Sequence, residues 1–262
     1  MRTATAPADA SSNRSPAEAV TPGASFVSRA VFNGAIVCTA PPRSEVERAL
    51  PKELRLASGA ADSDWHPVLF IVGDQTRGAS RVGGIDVEWG TQYQELVVAV
   101  PFVAPRRAGS LSVYAAAMFS SYWAPNWWGR VAYGYDKRLA ALERRGPIQA
   151  LTTPQDGLVF QIASEASGPW QAADPAVPGC LQALRRIAEL PWIGRKPNGG
   201  FVRSFSRWLF EDAQMRPVEA RPLLHRPLAV GLPTGPYEPV RDASVEVRGM
   251  TWWLSWPRSC VL

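Results

Sequence analysis

Cysteine and histidine are scarce in this sequence. Its three cysteines are Cys38, Cys180 and Cys260, and its two histidines are His66 and His225. An odd number of widely spaced cysteines, with no Cys-x-x-Cys pair, argues against a disulfide framework and against a structural zinc site. Two histidines far apart in the chain give no support to a metal centre. We therefore expect no bound metal.

Several catalytic motifs are absent as well. The sequence has no Gly-x-Ser-x-Gly nucleophile elbow, no Gly-x-Gly-x-x-Gly dinucleotide fingerprint and no P-loop. Residues 73–90 contain five glycines but lack the Gly-Lys-Ser/Thr ending of a phosphate-binding loop, so this segment is predicted to be a loop or a hairpin. These absences predict chemistry that needs no cofactor.

Neither long apolar runs nor a concentrated positive charge is present. No apolar segment reaches the roughly 18 residues of a membrane span, and the N-terminus lacks the apolar segment of a secretory signal. The net charge is +5, but the arginines occur in scattered pairs with acidic residues between them. We expect a cytoplasmic protein that binds neither nucleic acid nor membrane.

The composition changes near residue 25. Residues 1–24 are rich in Ala, Ser, Thr and Pro without periodicity, and we predict that they form a disordered tail. Residues 25–262 are predicted to form a single domain. The whole chain contains eleven tryptophans, which indicates an aromatic-lined cavity or a broad interface in addition to a core. We expect a homo-oligomer.

Apolar runs and turn residues predict mostly antiparallel strands. Segments 93–104 and 110–123 are predicted to be two buried antiparallel strands joined by a short polar turn. Three short helices are predicted in segments 42–51, 124–134 and 178–191, the first of them with Ser44 as a possible N-cap. This pattern favours an α+β fold with a few peripheral helices and a mostly antiparallel sheet, either open or closed into a β-barrel core.

Lysine is also rare, because only three of the 28 basic residues are lysines: Lys52, Lys137 and Lys196. Lys137 lies in an aromatic, glycine-containing stretch. A solvated lysine amine titrates near pH ~10.4, and an apolar pocket favours its neutral, nucleophilic form. Arginine cannot supply such an amine. From the residues alone, Lys137 is either part of a charged turn with Asp136 and Arg138 or a reactive amine.

The segment 129–140, "GRVAYGYDKRLA", resembles the active-site segment of acetoacetate decarboxylases. In that family a Gly-Arg pair leads to a Pro-Lys-Lys-Leu-Gly run whose first lysine forms a Schiff base. Five positions match this pattern: Gly129, Arg130, Tyr135, Lys137 and Leu139. Asp136 replaces the proline, and Arg138 replaces the second lysine and keeps its positive charge. The resemblance implies that Lys137 forms the Schiff base.

A second stretch, "TQYQELVVAVPF", is similar to the Tyr-x-Glu strand of the same family, with Tyr93 and Glu95 at the matching positions. Glu95 alone could be a solvent-edge glutamate at the start of a strand. The resemblance implies a buried acid or base. Ile71 stands where the family usually carries another glutamate, and Arg29 is a weak match for the arginine that helps with the substrate carboxylate.

Strand alternation adds a physical expectation around Lys137. If residues 135–142 form a strand, Arg138 points away from the Lys137 amine and provides electrostatic support only across the backbone. Desolvation of the amine is then expected to come from nearby aromatic and strand side chains: Trp127, Trp128, Tyr133 and Val98.

The resemblance implies an enzyme of the carbon–carbon lyase class, without a cofactor, that acts on a small oxo-acid. Decarboxylation of a β-keto acid through an imine on Lys137 is the first hypothesis. A pyruvate aldolase-dehydratase that uses the same lysine is the second, because the missing glutamate at Ile71 weakens the match to a decarboxylase. A non-catalytic oxo-acid-binding protein with the same fold is the third.

Overall fold

The computed structural model describes residues 26–262, apart from 58–62, 83, 89, 91, 108, 132, 174–179, 197, 229–230, 241 and 261. The predicted disordered tail at 1–24 lies outside the described residues. The strands are β1 (Phe26–Thr39), β2 (Leu54–Leu56), β3 (Val68–Val82), β4 (Ile85–Glu88), β5 (Tyr93–Pro105), β6 (Ser112–Ser120), β7 (Lys137–Leu139), β8 (Ala141–Arg145), β9 (Ile148–Thr153), β10 (Gly157–Ala166), β11 (Gln171–Ala172), β12 (Pro191–Arg195), β13 (Phe201–Leu209), β14 (Gln214–Leu224), β15 (Gly235–Pro236), β16 (Val245–Ser255) and β17 (Arg258–Cys260). The helices are α1 (Arg43–Ala49), α2 (Trp123–Val131) and α3 (Cys180–Ala188).

Seven strands close into a barrel. Their order around the ring is β1, β3, β5, β6, β12, β13 and β16, and β16 pairs with β1 again. The β6–β12 pair is parallel and the other six are antiparallel. The predicted α+β fold with a mostly antiparallel barrel core and a few helices is therefore confirmed.

Two facing glycines let β1 and β3 approach closely. Gly34 lies opposite Gly73 in the register of the two strands. A Cβ atom on either residue would lie only 2.6 Å from the Cα of the other. Any larger residue would push the two strands apart, so these glycines are required by the close crossing of the backbones.

A second sheet covers one side of the barrel. It consists of β8, β9, β10, β14 and β15, and β14 also pairs with the barrel strand β16. Its apolar side chains pack on outward-facing residues of the barrel: Phe160 of β10 stacks on Phe70 of β3, with ring centroids 5.6 Å apart. We call this outer cluster, which includes Phe70, Leu96, Val98, Phe160 and Ile162, the outer core.

All three predicted helices are present, and one detail of the prediction is wrong. The N-cap of α1 is Pro42 and not Ser44, because the Pro42 carbonyl accepts the first bonds from Glu45 N and Val46 N. Pro42 also fixes the backbone there, since its ring restricts φ. In α3, Leu184 and Ile187 are three residues apart and both buried, so the helix packs one apolar face against the protein.

One of the two alternatives predicted for segment 73–90 is present, and segment 135–142 is divided differently from the prediction. The glycine-rich segment 73–90 forms a hairpin in which β3 continues to Val82 and turns at Gly84 into β4, with φ +86° at Gly84. Residues 135–142, considered as one strand, instead contain the short β7 and the start of β8. Their partners differ, because β7 pairs with β6 of the barrel and β8 pairs with β9 of the second sheet.

Candidate active site

A cavity of about 130 Å³ lies inside the barrel. Each of the seven barrel strands contributes to its wall, and residues two apart on one strand recur in the lining, as at Tyr93, Glu95 and Val97. Side chains two residues apart face the same side of a strand, so the lining is the inward face of the barrel. We call it the barrel cavity. Its aromatic lining residues are Phe32, Tyr93, Trp128, Tyr133, Tyr135, Trp192, Trp208 and Trp252.

Helix α2 and the loop after it form one wall of the barrel cavity through Trp128, Gly129 and Tyr133. Gly129 packs directly on the aliphatic stem of Lys137: a Cβ atom at position 129 would lie 2.9 Å from Lys137 Cδ. The Gly-Arg element of the sequence thus has a physical reason, because only glycine leaves room for the lysine stem beside this turn of the helix.

The barrel cavity contains a buried ion pair between Lys137 and Glu95. The Lys137 Nζ atom lies 2.5 Å from Glu95 Oε1, and the two residues are only 5% and 6% exposed. The amine also lies 5.1 Å from the centroid of the Tyr93 ring. Burial of a single charge is costly unless a partner compensates it, so each of these groups stabilises the other. Lys137 and Glu95 are the two ionic side chains among the described lining residues.

Gln75 and Trp252 extend this pair into a chain of hydrogen bonds. Gln75 Nε2 donates to Glu95 Oε2 at 3.0 Å, and Trp252 Nε1 donates to Gln75 Oε1 at 2.7 Å. Sequence reasoning missed both residues. A signal was available for Gln75, because it follows the inward-facing Ile71 by four residues on β3 and so faces the same side of the strand.

Two tyrosines on the loop after α2 lie on the same wall, with stacked rings. Tyr133 donates a hydrogen bond from its hydroxyl to Ser28 Oγ at 2.7 Å, and burial raises the pKa of Tyr133 to about 12. The Tyr135 hydroxyl is hydrogen-bonded to Ser204 Oγ, and burial raises the pKa of Tyr135 well above its ordinary value. Both side chains are therefore neutral phenols at pH 7.

The structure brings four of the six candidate residues together. Lys137, Glu95, Tyr93 and Trp128 all line the barrel cavity. Arg138 follows Lys137 on β7 but faces away from it: its side chain is 44% exposed and bonds the Asp136 carboxylate at 3.1 Å. Asp136 is thereby paired with Arg138.

Arg29 does not line the barrel cavity. Its guanidinium lies 3.5 Å from Asp86 and 3.8 Å from Glu88, both on β4. The neighbouring Ser28 points into the cavity instead. A role of Arg29 in holding a carboxylate stays a prediction that this placement does not favour.

The expected desolvating residues are placed unevenly. Trp128 and Tyr133 line the barrel cavity, as expected. Trp127 is 53% exposed and does not line the cavity, and Val98 belongs to the outer core, so neither surrounds the amine. Val97 lines the cavity in place of Val98, because Glu95 and Val97 share the inward face of β5.

Comparison with solved structures identifies the architecture. The chain matches the enduracididine biosynthesis enzyme MppR with a TM-score of 0.59 and 14% sequence identity, over 98% of both chains. It also matches acetoacetate decarboxylase from Legionella pneumophila, with a TM-score of 0.58 and 14% identity over 97% of this chain and 98% of the other. The fold is that of the acetoacetate decarboxylase-like proteins. An acetoacetate decarboxylase-like enzyme from Sphingomonas wittichii RW1 matches with a TM-score of 0.56 and 13% identity, over 97% of this chain and 100% of the other.

The acetoacetate decarboxylase-like fold was expected from the two motifs, and that expectation is confirmed. No protein-family profile matches the chain, and no curated protein matches its sequence significantly. MppR has also been solved in complex with the condensation product of pyruvate and imidazole 4-carboxaldehyde, and this structure matches with a TM-score of 0.59, 14% identity and 98% coverage of both chains.

Nowhere in the described ranges do three or more His, Cys, Asp or Glu side chains cluster in a way that could hold a metal ion. None of the described helices is long and apolar enough to cross a membrane. Oligomeric state and cellular location stay predictions.

Proposed function

We propose that this protein is a Schiff-base-forming lyase that decarboxylates a small β-keto acid, with Lys137 as the nucleophile and Glu95 as the proton-transfer group. The observation that carries the proposal is the buried contact of 2.5 Å between Lys137 Nζ and Glu95 Oε1 in a mostly apolar cavity. A lysine amine in an apolar pocket is a recognised covalent nucleophile for carbonyl compounds, and acetoacetate decarboxylase is itself an established example of it.

The reaction starts with proton transfer from the ammonium of Lys137 to Glu95 Oε1. The neutral amine attacks the ketone carbon to form a carbinolamine. Glu95 then returns a proton to the leaving hydroxyl, and water departs to leave a protonated imine. Loss of CO2 sends the electrons of the broken carbon–carbon bond into the imine and gives an enamine. Protonation of the enamine carbon and hydrolysis release the ketone and regenerate the lysine.

The apolar lining favours this particular bond cleavage. The protonated imine of a β-keto acid carries a positive nitrogen and a negative carboxylate. Loss of CO2 turns these two charges into a neutral enamine and a neutral gas. A low-polarity cavity stabilises the transition state, in which charge is disappearing, better than the charged imine before it.

The charges of the lining also bear on the choice between reactions. Lys137 is the one cationic side chain among the described residues of the wall, and it becomes part of the imine. A pyruvate aldolase-dehydratase must hold a carboxylate that stays on the substrate throughout the reaction. A decarboxylase, in contrast, holds a substrate carboxylate that departs as CO2. A cavity without a second cation therefore supports decarboxylation first.

Pyruvate aldol condensation and dehydration is the second candidate, and one observation favours it. Eight aromatic side chains line the cavity, which suits an aromatic aldehyde as the acceptor. MppR, whose fold this chain shares, was solved with a condensation product of pyruvate and an aromatic aldehyde. Non-catalytic binding of an oxo-acid needs the same lysine and remains the alternative if no turnover occurs.

The test uses the purified full chain. It is incubated with acetoacetate, and separately with pyruvate plus imidazole 4-carboxaldehyde, while CO2 and near-ultraviolet absorbance are followed. Borohydride is added to parallel samples, and the labelled peptide is located by mass spectrometry. CO2 above the spontaneous rate with a label on Lys137 supports the proposal. A condensed product without CO2 favours the second candidate, a label without turnover indicates a binding protein, and no label with any oxo-acid rejects the imine mechanism.

A further inference from the structure

Gln75 and Trp252 lie behind Glu95, on the side away from the lysine. Gln75 is 5% exposed on β3, and its amide bridges Glu95 Oε2 at 3.0 Å and the indole nitrogen of Trp252 at 2.7 Å. The side chain does not touch Lys137 Nζ in any hydrogen bond given by the structure. Its position makes it a partner of the acid and not of the amine.

The indole of Trp252 decides which way the Gln75 amide points. An indole nitrogen is a donor and never an acceptor, so the group that faces it must be the amide oxygen. The flipped amide would place two donors together at Trp252 and would direct its oxygen at a carboxylate oxygen of Glu95. One hydrogen bond from β16 therefore fixes the orientation of a side chain on β3.

The orientation of the amide in turn fixes where Glu95 can carry a proton. Gln75 Nε2 can only donate, so Glu95 Oε2 is the acceptor in this contact, and the donated bond disfavours a proton on that oxygen. The other oxygen, Oε1, faces Lys137 Nζ at 2.5 Å. Any proton shared by the acid and the amine is thus confined to the line between Oε1 and Nζ.

We propose that Gln75, held by Trp252, is a positioning residue that directs the proton of Glu95 to the single oxygen facing Lys137. This inference rests on the proposed use of Lys137 and Glu95 as the reacting pair. The hydrogen bond from the Gln75 amide also favours the charged form of the Glu95 carboxylate, since a hydrogen bond donated to a carboxylate stabilises its anion. Without this hydrogen bond, neither oxygen of Glu95 is marked as the acceptor, and a proton can lie on either of them.

The titratable groups near Glu95 are few. Lys137 of β7 faces Oε1, Tyr93 lies on the same strand, and Tyr133 and Tyr135 lie on the wall after α2. Burial keeps all three phenols neutral, because it raises the pKa of each tyrosine above its ordinary value. A change in the titration of Glu95 after a substitution at Gln75 or Trp252 therefore reports on the hydrogen bond from the Gln75 amide.

The experiment follows the carboxyl carbon of Glu95 directly, so that it does not depend on turnover. Protein labelled with 13C at the glutamate carboxyls is titrated by NMR, and Glu95→Gln assigns the resonance. Gln75→Met removes both hydrogen bonds at nearly constant volume, and Trp252→Phe removes only the donor that orients the amide. Trp253→Phe is the matched control. It removes an indole N–H from the next residue of β16, and Trp253 does not line the cavity.

We expect the Glu95 resonance to titrate at higher pH in Gln75→Met, and less strongly in the same direction in Trp252→Phe. Trp253→Phe should titrate like the wild type. Borohydride trapping at Lys137 should slow in Gln75→Met, but by less than the ~100-fold expected when a proton-transfer group is lost altogether. The inference is overturned if the Glu95 titration is unchanged in both variants, or if Trp253→Phe shifts it equally.

The two proposals can fail separately. If wild-type protein gives no adduct with any oxo-acid, the proposed function is wrong, whereas the NMR titration still decides the role of Gln75. If the adduct forms normally in wild type and in Gln75→Met with an unchanged Glu95 titration, the function stands and the positioning role is rejected. Trp252→Phe provides the second variant if Gln75→Met does not fold.

Discussion

The outward and inward faces of the same barrel strands differ in their side chains and in their roles. On β3 and β5 the outward residues Phe70 and Val98 pack in the outer core, while the inward residues Gln75 and Glu95 form hydrogen bonds in the barrel cavity. The outer core is apolar throughout and the inner face contains a buried ion pair. Packing of apolar groups stabilises the fold, and the inner face can hold costly polar groups because the outer face compensates for them.

The largest effect should come from the inner lysine. Lys137→Arg keeps the positive charge beside Glu95 but removes the nucleophilic amine, so we expect complete loss of borohydride labelling with acetoacetate or pyruvate. Lys196→Arg is the matched control, because Lys196 lies outside the barrel cavity and should leave labelling at Lys137 intact. Labelling that persists at another lysine in Lys137→Arg would contradict the assignment.

The outer face should dominate stability. Phe160 is 1% exposed and stacks on Phe70, so Phe160→Ala should lower the free energy of unfolding by about 3–5 kcal/mol. Urea denaturation measures this change. Phe160→Leu, which keeps most of the volume, should cost about 1.5 kcal/mol or less. If the alanine variant loses less than about 1 kcal/mol, the comparison between the two faces is wrong.

Substitution of the inner acid should affect both turnover and stability. Glu95→Gln removes the proton-transfer group and keeps its shape, so we expect turnover to fall by ~100-fold or more. The fold should stay intact, but the melting temperature should also fall, because the amide leaves the buried Lys137 ammonium without its counter-charge and cannot accept from both Lys137 and Gln75. Wild-type turnover in Glu95→Gln would show that Glu95 takes no part in proton transfer.

The wall behind the lysine should matter less. In Gly129→Ala the new methyl group would lie 2.9 Å from Lys137 Cδ, so the lysine stem must shift away from its present position. We expect borohydride trapping to slow by about tenfold, since a displacement of the nucleophile weakens its alignment with the carbonyl. Gly146→Ala controls for the loss of a glycine, because a Cβ there would touch nothing within 4 Å, although its φ of +60° adds backbone strain.

The smallest effect concerns pH and a buried histidine outside the cavity. His66 is 2% exposed, its Nε2–H donates to the Pro101 carbonyl at 2.9 Å, and burial lowers its pKa from the ordinary 6.5. The unfolded chain then binds a proton more readily than the folded one. Stability is therefore full above pH 6.5 and decreases as the pH falls from there through the folded pKa.

Urea unfolding between pH 7.5 and pH 5 measures this dependence, and His66→Gln serves as the reference that cannot titrate. The wild-type curve should decrease more steeply below about pH 6.5 than that of the variant. Parallel curves would mean that His66 contributes nothing to the pH dependence of folding.

Much of the site was readable from two short stretches. The Gly-Arg…Lys segment and the Tyr-x-Glu strand led to Lys137 and Glu95, and the structure places these two side chains in contact. Alternation along β7 correctly predicted that Arg138 faces away from the amine. Arg29 is predicted from a weak match to the family and Trp127 from its place in the aromatic stretch before Lys137, and neither lines the cavity. Whether Arg29 or Arg138 has any role in the reaction stays a prediction.

Local features could be predicted from the sequence: strands from apolar runs, three short helices, and Lys137 as a candidate reactive lysine in a chain that otherwise prefers arginine. These depend on neighbours along the chain and on side-chain type. Only the tertiary structure decided that Gln75 reaches Glu95 and that Trp252 orients Gln75. Those contacts join β3, β5 and β16, whose register is set by closure of the barrel, and residues 177 positions apart in sequence have no local pattern that relates them.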